Sequence, residues 1–222
     1  MKNANVTEKK HTGNNAHTKS SYSVRSMTMT GMLSAVAFLL MFFDFSVPFM
    51  PAFIKMDLSE LPALIGSFAL GPVSGVAICL IKNLLHLMKT STGGVGELSN
   101  FILGAVFVFT AGMIYKHKKN KKSAIIGSLT GAVAMAVVSV FSNYYLVYPV
   151  YTKFMPIDAI IGAYQAINPN VDGLWACLIC FNMPFTLVKG LFSVVITLLI
   201  YKRLSPIIKG TQNERETFVH TE

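Results

Sequence analysis

Charged side chains are scarce in this sequence, and their scarcity excludes an ordinary water-soluble domain. Asp, Glu, Lys and Arg make up 13% of the 222 residues, while 53% are hydrophobic; soluble domains carry about 25% charged residues. Negative charges are rarer than positive ones, since the sequence has 10 Asp and Glu residues and 19 Lys and Arg residues. A nucleic-acid-binding domain would spread its positive charge over a folded face. Here the basic residues gather at both ends and in one short connection, so lipid headgroups are the expected neighbours.

Cysteine is also rare, and common catalytic motifs are missing. Cys79, Cys177 and Cys180 lie in apolar runs, and one C-x-x-C without a second pair or histidine partners is a weak signal for a metal or redox site. We interpret the three cysteines as packing residues. The signatures H-E-x-x-H and G-x-S-x-G do not occur. The sequence therefore predicts no enzyme, no metal site and no cofactor.

Apolar stretches predict an all-α integral membrane protein with six transmembrane helices. A helix needs about 20 mostly apolar residues to cross the hydrocarbon core of a bilayer. Uncharged stretches of this kind recur six times, although the second is short. We predict a multi-pass protein of the cell membrane. The predicted spans are residues 27–43, 59–70, 73–88, 98–115, 123–147 and 174–201.

The distribution of basic residues predicts that both termini are cytoplasmic. Lys and Arg are retained on the cytoplasmic side of membranes. With six spans, fourteen of the nineteen Lys and Arg residues fall on that side. Five of them precede residue 26, five lie between 116 and 122, and four follow residue 201. We therefore expect a disordered cytoplasmic tail over residues 1–24, a membrane domain over 25–205 and a cytoplasmic C-terminal tail over 206–222. The outer connections at 44–58 and 148–173 contain prolines and large apolar residues, so both are expected to pack.

Polar residues at membrane depth are costly and are therefore functional candidates. Asn182, Thr186 and Lys189 are spaced four and three residues apart, which places them on one face of the last span. Lys189 lies too far from the end of that span to reach the inner interface, so the face is expected to point inward. Pro184 weakens the helix there and favours a kink that opens space for a ligand. The other candidates within the spans are Lys82, Asn83, His86 and Asn143.

Several candidates have a second interpretation. Asn143 and the tyrosines up to Tyr148 are equally typical of an interfacial aromatic belt. Asp57 and Glu60 suit the positive end of a helix dipole and hence helix capping. Glu97 follows a glycine-rich stretch that lacks the spacing of a phosphate-binding loop, and it is predicted to cap the fourth span.

Small residues line one face of the first span. Gly31 and Ala35 are four residues apart, as are Thr30 and Ser34. This small-x-x-x-small pattern lets helices approach closely in lipid. The face serves either packing within the bundle or docking of a separate membrane subunit, for which Gly31, Ala35 and Ser34 are the candidates.

Five segments together resemble the riboflavin-specific substrate-binding subunits of energy-coupling factor (ECF) transporters. They are FIKMDLSELP at 53–62, Gly71-Pro72, KNLL at 82–85, GELSNF at 96–101 and PFTLVKG at 184–190. The resemblance covers about residues 25–205. The family more often has alanine where this chain has Gly31, and similar sequences tend to have asparagine where it has Thr186.

The resemblance implies an S-component bundle that binds a vitamin at the outer side, beneath the first loop. It also implies a coupling transmembrane subunit that docks on Gly31 and Ala35, and two ATP-binding subunits. An isoalloxazine offers an apolar face and a polar edge, which the mixture of apolar, Asn and Lys side chains suits. Thiamin would favour an acidic aromatic cage, and folate more positive charge. An S-component for thiamin, folate or biotin and a stand-alone secondary carrier are the alternatives.

We expect the binding pocket between the outer halves of the fourth to sixth spans, beneath a lid at residues 45–58. The predicted substrate-binding residues are Asn143, Lys189, Asn182, Thr186, Glu97, Tyr148 and Asp57.

Overall fold

The computed structural model describes residues 24–51, 54–90, 92–153 and 155–199, which form seven helices and one short hairpin. A 3-10 turn at Leu87–Lys89 follows the third helix. The elements are α1 (Val24–Met41), β1 (Phe45–Ser46), β2 (Lys55–Met56), α2 (Glu60–Leu70), α3 (Pro72–His86), α4 (Val95–His117), α5 (Lys121–Tyr151), α6 (Ile157–Gln165) and α7 (Gly173–Leu199).

Four of the described helices are long and apolar enough to cross a membrane, namely α1, α4, α5 and α7, with 18 to 31 residues. The protein is thus an α-helical membrane protein, as predicted. Helices α2 and α3, with 11 and 15 residues, occupy the positions of the second and third predicted spans. They meet at Gly71, whose φ of 107° suits glycine. The predicted end of the last span at Tyr201, residues 1–23 and residues 206–222 lie outside the described residues.

Close contacts join α4 and α5 in the half of the bundle nearer to the connection between them. A Cβ on Gly127 would lie 2.7 Å from the carbonyl oxygen of Ala111, and a Cβ on Gly131 would lie 2.7 Å from that of Phe107. The two backbones therefore approach more closely than larger residues allow. Leu64, Phe68 and other buried apolar residues of α2, α3 and α7 complete this core.

The predicted lid is an antiparallel hairpin, in which Phe45 pairs with Met56 and Ser46 with Lys55. An ion pair of 2.8 Å between Lys55 and Asp44 lies at its open end. The connection at 148–173 packs as predicted: it contains α6, and Ile160 and Tyr164 on that helix are fully buried.

Helices α5 and α7 each contain a widened π-helical turn, at Asn143–Val147 and Leu178–Asn182. The N–H of Tyr148 donates to the carbonyl of Asn143, and the N–H of Met183 donates to that of Leu178, in each case five residues back. A proline follows directly in both helices, Pro149 and Pro184. Because proline has no N–H and its ring clashes with the carbonyl four residues earlier, the preceding turn widens. The kink that the sequence predicts at Pro184 would fall next to this widened turn, and it stays a prediction.

Candidate functional site

A cavity of about 320 Å³ lies at the end of the bundle where the hairpin, the start of α4 and both π-helical turns meet. Its volume falls within the usual range of small-molecule pockets. The structure brings all seven predicted substrate-binding residues to its wall, and their role in binding stays a prediction. They are Asn143, Lys189, Asn182, Thr186, Glu97, Tyr148 and Asp57.

Lys189 lies in a buried cluster of charges at the base of the cavity. Its ammonium is 3.1 Å from Asp57 Oδ2, 3.1 Å from Asn100 Oδ1 and 3.5 Å from Glu60 Oε2. An ammonium has three N–H donors, so each donor has an acceptor nearby. Asp57 follows β2 directly, and the ion pair therefore ties the hairpin to α7. This arrangement confirms the expectation that Lys189 points inward.

A second lysine completes the cluster. Lys82 on α3 is fully buried, lies 3.1 Å from Glu60 Oε1 and also donates to the hydroxyl of Ser59. Two ammonium groups thus face two carboxylates, which leaves the cluster without net charge. Removing charges from water is costly unless they are paired in this way.

The N-cap residue of α2, Ser59, makes no capping hydrogen bond with its side chain, and Glu60 lies in the first turn of that helix. Asp57 accepts the backbone N–H of Ser59 at 2.8 Å, just before α2 begins, whereas Glu60 pairs with Lys82. Burial by itself raises the pKa of Asp57, but the ammonium groups of Lys189 and Lys82 and the hydrogen bonds from Ser59 together hold that pKa well below its usual range. The carboxylate is therefore charged at neutral pH.

Glu97 forms the wall next to α3. Its carboxylate lies 2.9 Å from His86 Nδ1 and accepts from Thr90 at 2.9 Å and Thr92 at 3.4 Å. The first turn of α4 is capped by Thr92, which accepts the N–H of Gly96, while Thr90 accepts the N–H of Gly94 just before the helix. Glu97 itself is held in place as a wall residue of the cavity.

The π-helical turns carry the remaining polar groups. Asn143 accepts a hydrogen bond of 3.3 Å from Ser99. Asn182 and Tyr148 bond each other and Tyr164 on α6. Tyr148 is 4% exposed and therefore does not belong to an interfacial aromatic belt, whereas Tyr145 is 68% exposed and suits one.

Further lining residues were not among the predicted site residues. Asn100 and His86 belong to the polar wall, and both had a signal: Asn100 lies one turn after Glu97, and His86 was a candidate at membrane depth. Other polar lining residues are Asp44, Lys55, Thr92, Ser99 and Tyr151. Lys82 and Asn83, also candidates, are not among the described residues that line the cavity. The apolar part of the wall could not be distinguished from core residues by sequence. It includes Met41, Ile54, Val95, Leu103, Met135, Val147 and Phe185.

The small residues of α1 separate onto two faces. Gly31 and Ala35 are exposed, and a Cβ on Gly31 would meet no described atom within 4 Å. Ser34 is 1% exposed and donates to the carbonyl of Thr30. Packing within the described bundle therefore does not account for Gly31, while Ser34 faces inward and is not available for a direct contact with a partner.

Comparison with known proteins gives consistent matches over most of the chain. The family described as "ECF transporter, substrate-specific component" matches residues 25–201. "Riboflavin transporter RibU" of Staphylococcus aureus (strain TCH60) is 35% identical over 178 residues, which are 80% of this chain and 89% of the relative. "Riboflavin transporter FmnP" of Bacillus subtilis (strain 168) is 30% identical over 200 residues, 89% of this chain and 99% of the relative.

A solved structure shares the fold as well. The structure described as "Structure and mechanism of the S component of a bacterial ECF transporter" is 33% identical and superimposes with a TM-score of 0.66, covering 83% of this chain and 98% of that one. The chain therefore belongs to the substrate-specific components of ECF transporters, multi-pass membrane proteins of transport rather than enzymes.

Proposed function

We propose that the chain is the riboflavin-binding subunit of an ECF-type vitamin importer. It captures the vitamin outside the cell and delivers it together with a coupling transmembrane subunit and two ATP-binding subunits. The observation that carries the proposal is the cavity, where seven polar residues predicted from sequence meet an apolar wall. The names of the two relatives support riboflavin as the ligand.

The charges of the cavity support a neutral ligand. Lys189 is paired with Asp57 and Glu60, so the carboxylates of folate would compete with two anions that are already in place. The same pairing leaves those two carboxylates unavailable as a cage for the thiamin cation. Riboflavin is neutral and needs neither a free ammonium nor a free carboxylate in the site. Its isoalloxazine suits the apolar wall. Its polar edge and ribityl hydroxyls suit amide and hydroxyl partners such as Asn143, Asn182 and Thr186.

The finer topology is part of the proposal. Helices α2 and α3 complete six membrane-embedded segments, the cavity faces outward, and both termini are cytoplasmic, with a membrane domain over 25–205 between tails at 1–24 and 206–222. The connection between α4 and α5, together with the adjoining helix ends, supports this orientation, because residues 116–122 carry five exposed lysines at the end opposite the cavity.

The coupling subunit is proposed to dock on the exposed face of α1 at Gly31 and Ala35. The face lies against lipid in the isolated chain, and its small residues permit another helix to approach closely. Ser34 is 1% exposed and faces the bundle, so the direct contact with the coupling subunit is proposed for Gly31 and Ala35.

Titration of the purified protein with riboflavin, thiamin, folate and biotin tests the proposal, with flavin fluorescence quenching and thermal shift as readouts. We expect riboflavin alone to bind and to raise the melting temperature. Asn143→Ala should weaken binding by about tenfold to a hundredfold, because a polar group of the ligand loses its partner in a dry site. Lys116→Ala, at the opposite end, is the control and should bind normally. Stabilisation by thiamin or folate and not by riboflavin would reject the ligand assignment.

A further inference from the structure

The hydroxyls of Tyr148 and Tyr164 and the amide of Asn182 form a closed ring of three hydrogen bonds behind one wall of the cavity. The two hydroxyl oxygens are 2.5 Å apart, Tyr164 donates to Asn182 Oδ1 at 2.7 Å, and Asn182 Nδ2 donates to Tyr148 at 3.5 Å. The ring joins α5, α6 and α7. Two of its members belong to the widened ends of α5 and α7.

The donors and acceptors give the ring one direction. Tyr164 donates to Oδ1 of Asn182 at 2.7 Å, so the carbonyl of Asn182 faces Tyr164. Since the proton of Tyr164 goes to Asn182, the hydroxyl of Tyr148 donates to Tyr164 and accepts from the amide nitrogen. That nitrogen has two N–H groups, and the ring uses one of them.

The three residues differ in their access to the cavity. Tyr148 and Asn182 line it, whereas Tyr164 is fully buried and is not among the described lining residues. Burial raises the pKa of the Tyr164 hydroxyl above its usual value, and the adjacent Tyr148 raises it further. Tyr164 thus keeps its proton at any physiological pH and remains a donor to the amide oxygen.

We propose that Tyr164 is a positioning residue that holds Asn182 with its carbonyl turned into the wall, so that the amide offers its second N–H to the ligand. The wall then selects a ligand with an acceptor at this point, such as a ring carbonyl or an imine nitrogen. Without the Tyr164 hydroxyl the amide can turn over, and its carbonyl repels the same acceptor. The inference rests on the proposed function, because riboflavin is the ligand used to test it.

The first test compares two matched substitutions. Tyr164→Phe removes the hydroxyl that orients Asn182 and should weaken riboflavin binding by about threefold to tenfold, the value of one hydrogen bond. Tyr145→Phe makes the same chemical change at a side chain that is 68% exposed, and it should bind as wild type does. Riboflavin affinity that is equal in the two variants would overturn the inference.

A double-mutant cycle separates positioning from general stability. If Tyr164 acts through Asn182, then Tyr164→Phe in an Asn182→Ala background should change affinity by less than about twofold, because the amide to be oriented is gone. Losses that multiply in the double variant would show that Tyr164 acts independently, and would overturn the inference.

Replacement of Tyr164 by 4-aminophenylalanine covers the case in which Tyr164→Phe does not fold, since it keeps the ring and an N–H donor. Affinity within about threefold of wild type supports the positioning role; an affinity as low as that of Asn182→Ala overturns it. The proposed function fails separately, if wild type and Tyr145→Phe themselves do not bind riboflavin.

Discussion

The half of the bundle that contains the cavity and the opposite half are held together by different kinds of contact. In the cavity half, buried ion pairs join α2, α3 and α7 through Glu60, Lys82 and Lys189. In the opposite half, α4 and α5 are joined by close backbone approaches at Gly127 and Gly131. The cavity half depends on charge pairing, and the opposite half depends on shape.

This difference assigns a separate task to each half. Charges at membrane depth need partners within the protein, and here they pair with one another beside the cavity. Glycine contacts against backbone atoms involve no charge and depend only on how closely two helices fit. The cavity half is therefore suited to surround a ligand with fixed polar groups, while the opposite half keeps the helices in place and offers a constant surface for the coupling subunit proposed above.

The largest effect is expected where one partner of the buried cluster is removed. Lys82→Met leaves the carboxylate of Glu60 without its closest ammonium in a fully buried site. Breaking a buried ion pair in this way destabilises a protein by about 3 to 5 kcal/mol. Thermal or denaturant unfolding of the purified protein in the same detergent measures the loss of unfolding free energy.

Two further variants make this measurement decisive. Lys55→Met breaks the pair with Asp44, whose side chains are 45% and 33% exposed, and should cost about 1 kcal/mol or less. Adding Glu60→Gln to Lys82→Met removes the unpaired charge and should restore part of the stability. If Lys82→Met costs no more than Lys55→Met, the buried cluster does not stabilise the cavity half.

A smaller effect is expected from a single methyl group in the opposite half. The new Cβ of Gly131→Ala would lie 2.7 Å from the carbonyl oxygen of Phe107, so α5 has to move away from α4. Overpacking of this kind costs about 1 to 3 kcal/mol. The matched control is Gly162→Ala on α6, where a Cβ meets no described atom within 4 Å and the better helix propensity should leave stability equal or slightly higher. Equal melting temperatures for the two variants would contradict a role of shape in this half.

Local spacing made one face of the site predictable from sequence. Asn182, Thr186 and Lys189 share a helical face, and helical geometry alone brings them to one wall. Pro184 also carried a signal, since a proline weakens the helical turn before it, whereas the similar turn before Pro149 was not predicted. The apolar runs gave the helices that cross the membrane, because length and hydropathy determine them.

Contacts between distant segments could not be predicted in the same way. Lys189 and Asp57 are 132 residues apart, so their ion pair depends on how α7 packs against the hairpin. Tyr164 gave no signal, because a tyrosine in a connecting segment has the same sequence pattern whether it is exposed or orients an amide. Ser34 was misplaced for a related reason: the small-residue spacing shows which residues stack, but the neighbours of α1 decide which face is covered.

The smallest effect on the isolated protein is expected at the surface of the opposite half, on α1. Gly31→Trp adds a bulky side chain where a Cβ meets no described atom within 4 Å, so folding and riboflavin affinity should stay within about twofold of wild type. Transport by the complete importer in proteoliposomes should nevertheless be abolished, because the coupling helix can no longer approach α1 closely. Gly31→Ala, which keeps the residue small, is the control and should transport normally.

The two measurements on Gly31→Trp distinguish what the exposed small residues do. Binding and transport lost together would mean that the face supports the fold of the subunit, and the proposed division between the two halves would then be wrong. If binding is retained while transport is lost, the contact with the coupling subunit lies on α1, away from the cavity. Concentrative uptake by this chain alone, without ATP or partners, would make the docking face unnecessary, and the separate carrier interpretation would replace it. The outcome therefore decides whether the coupling subunit contacts the binding subunit through the exposed face of α1, in the half opposite the cavity.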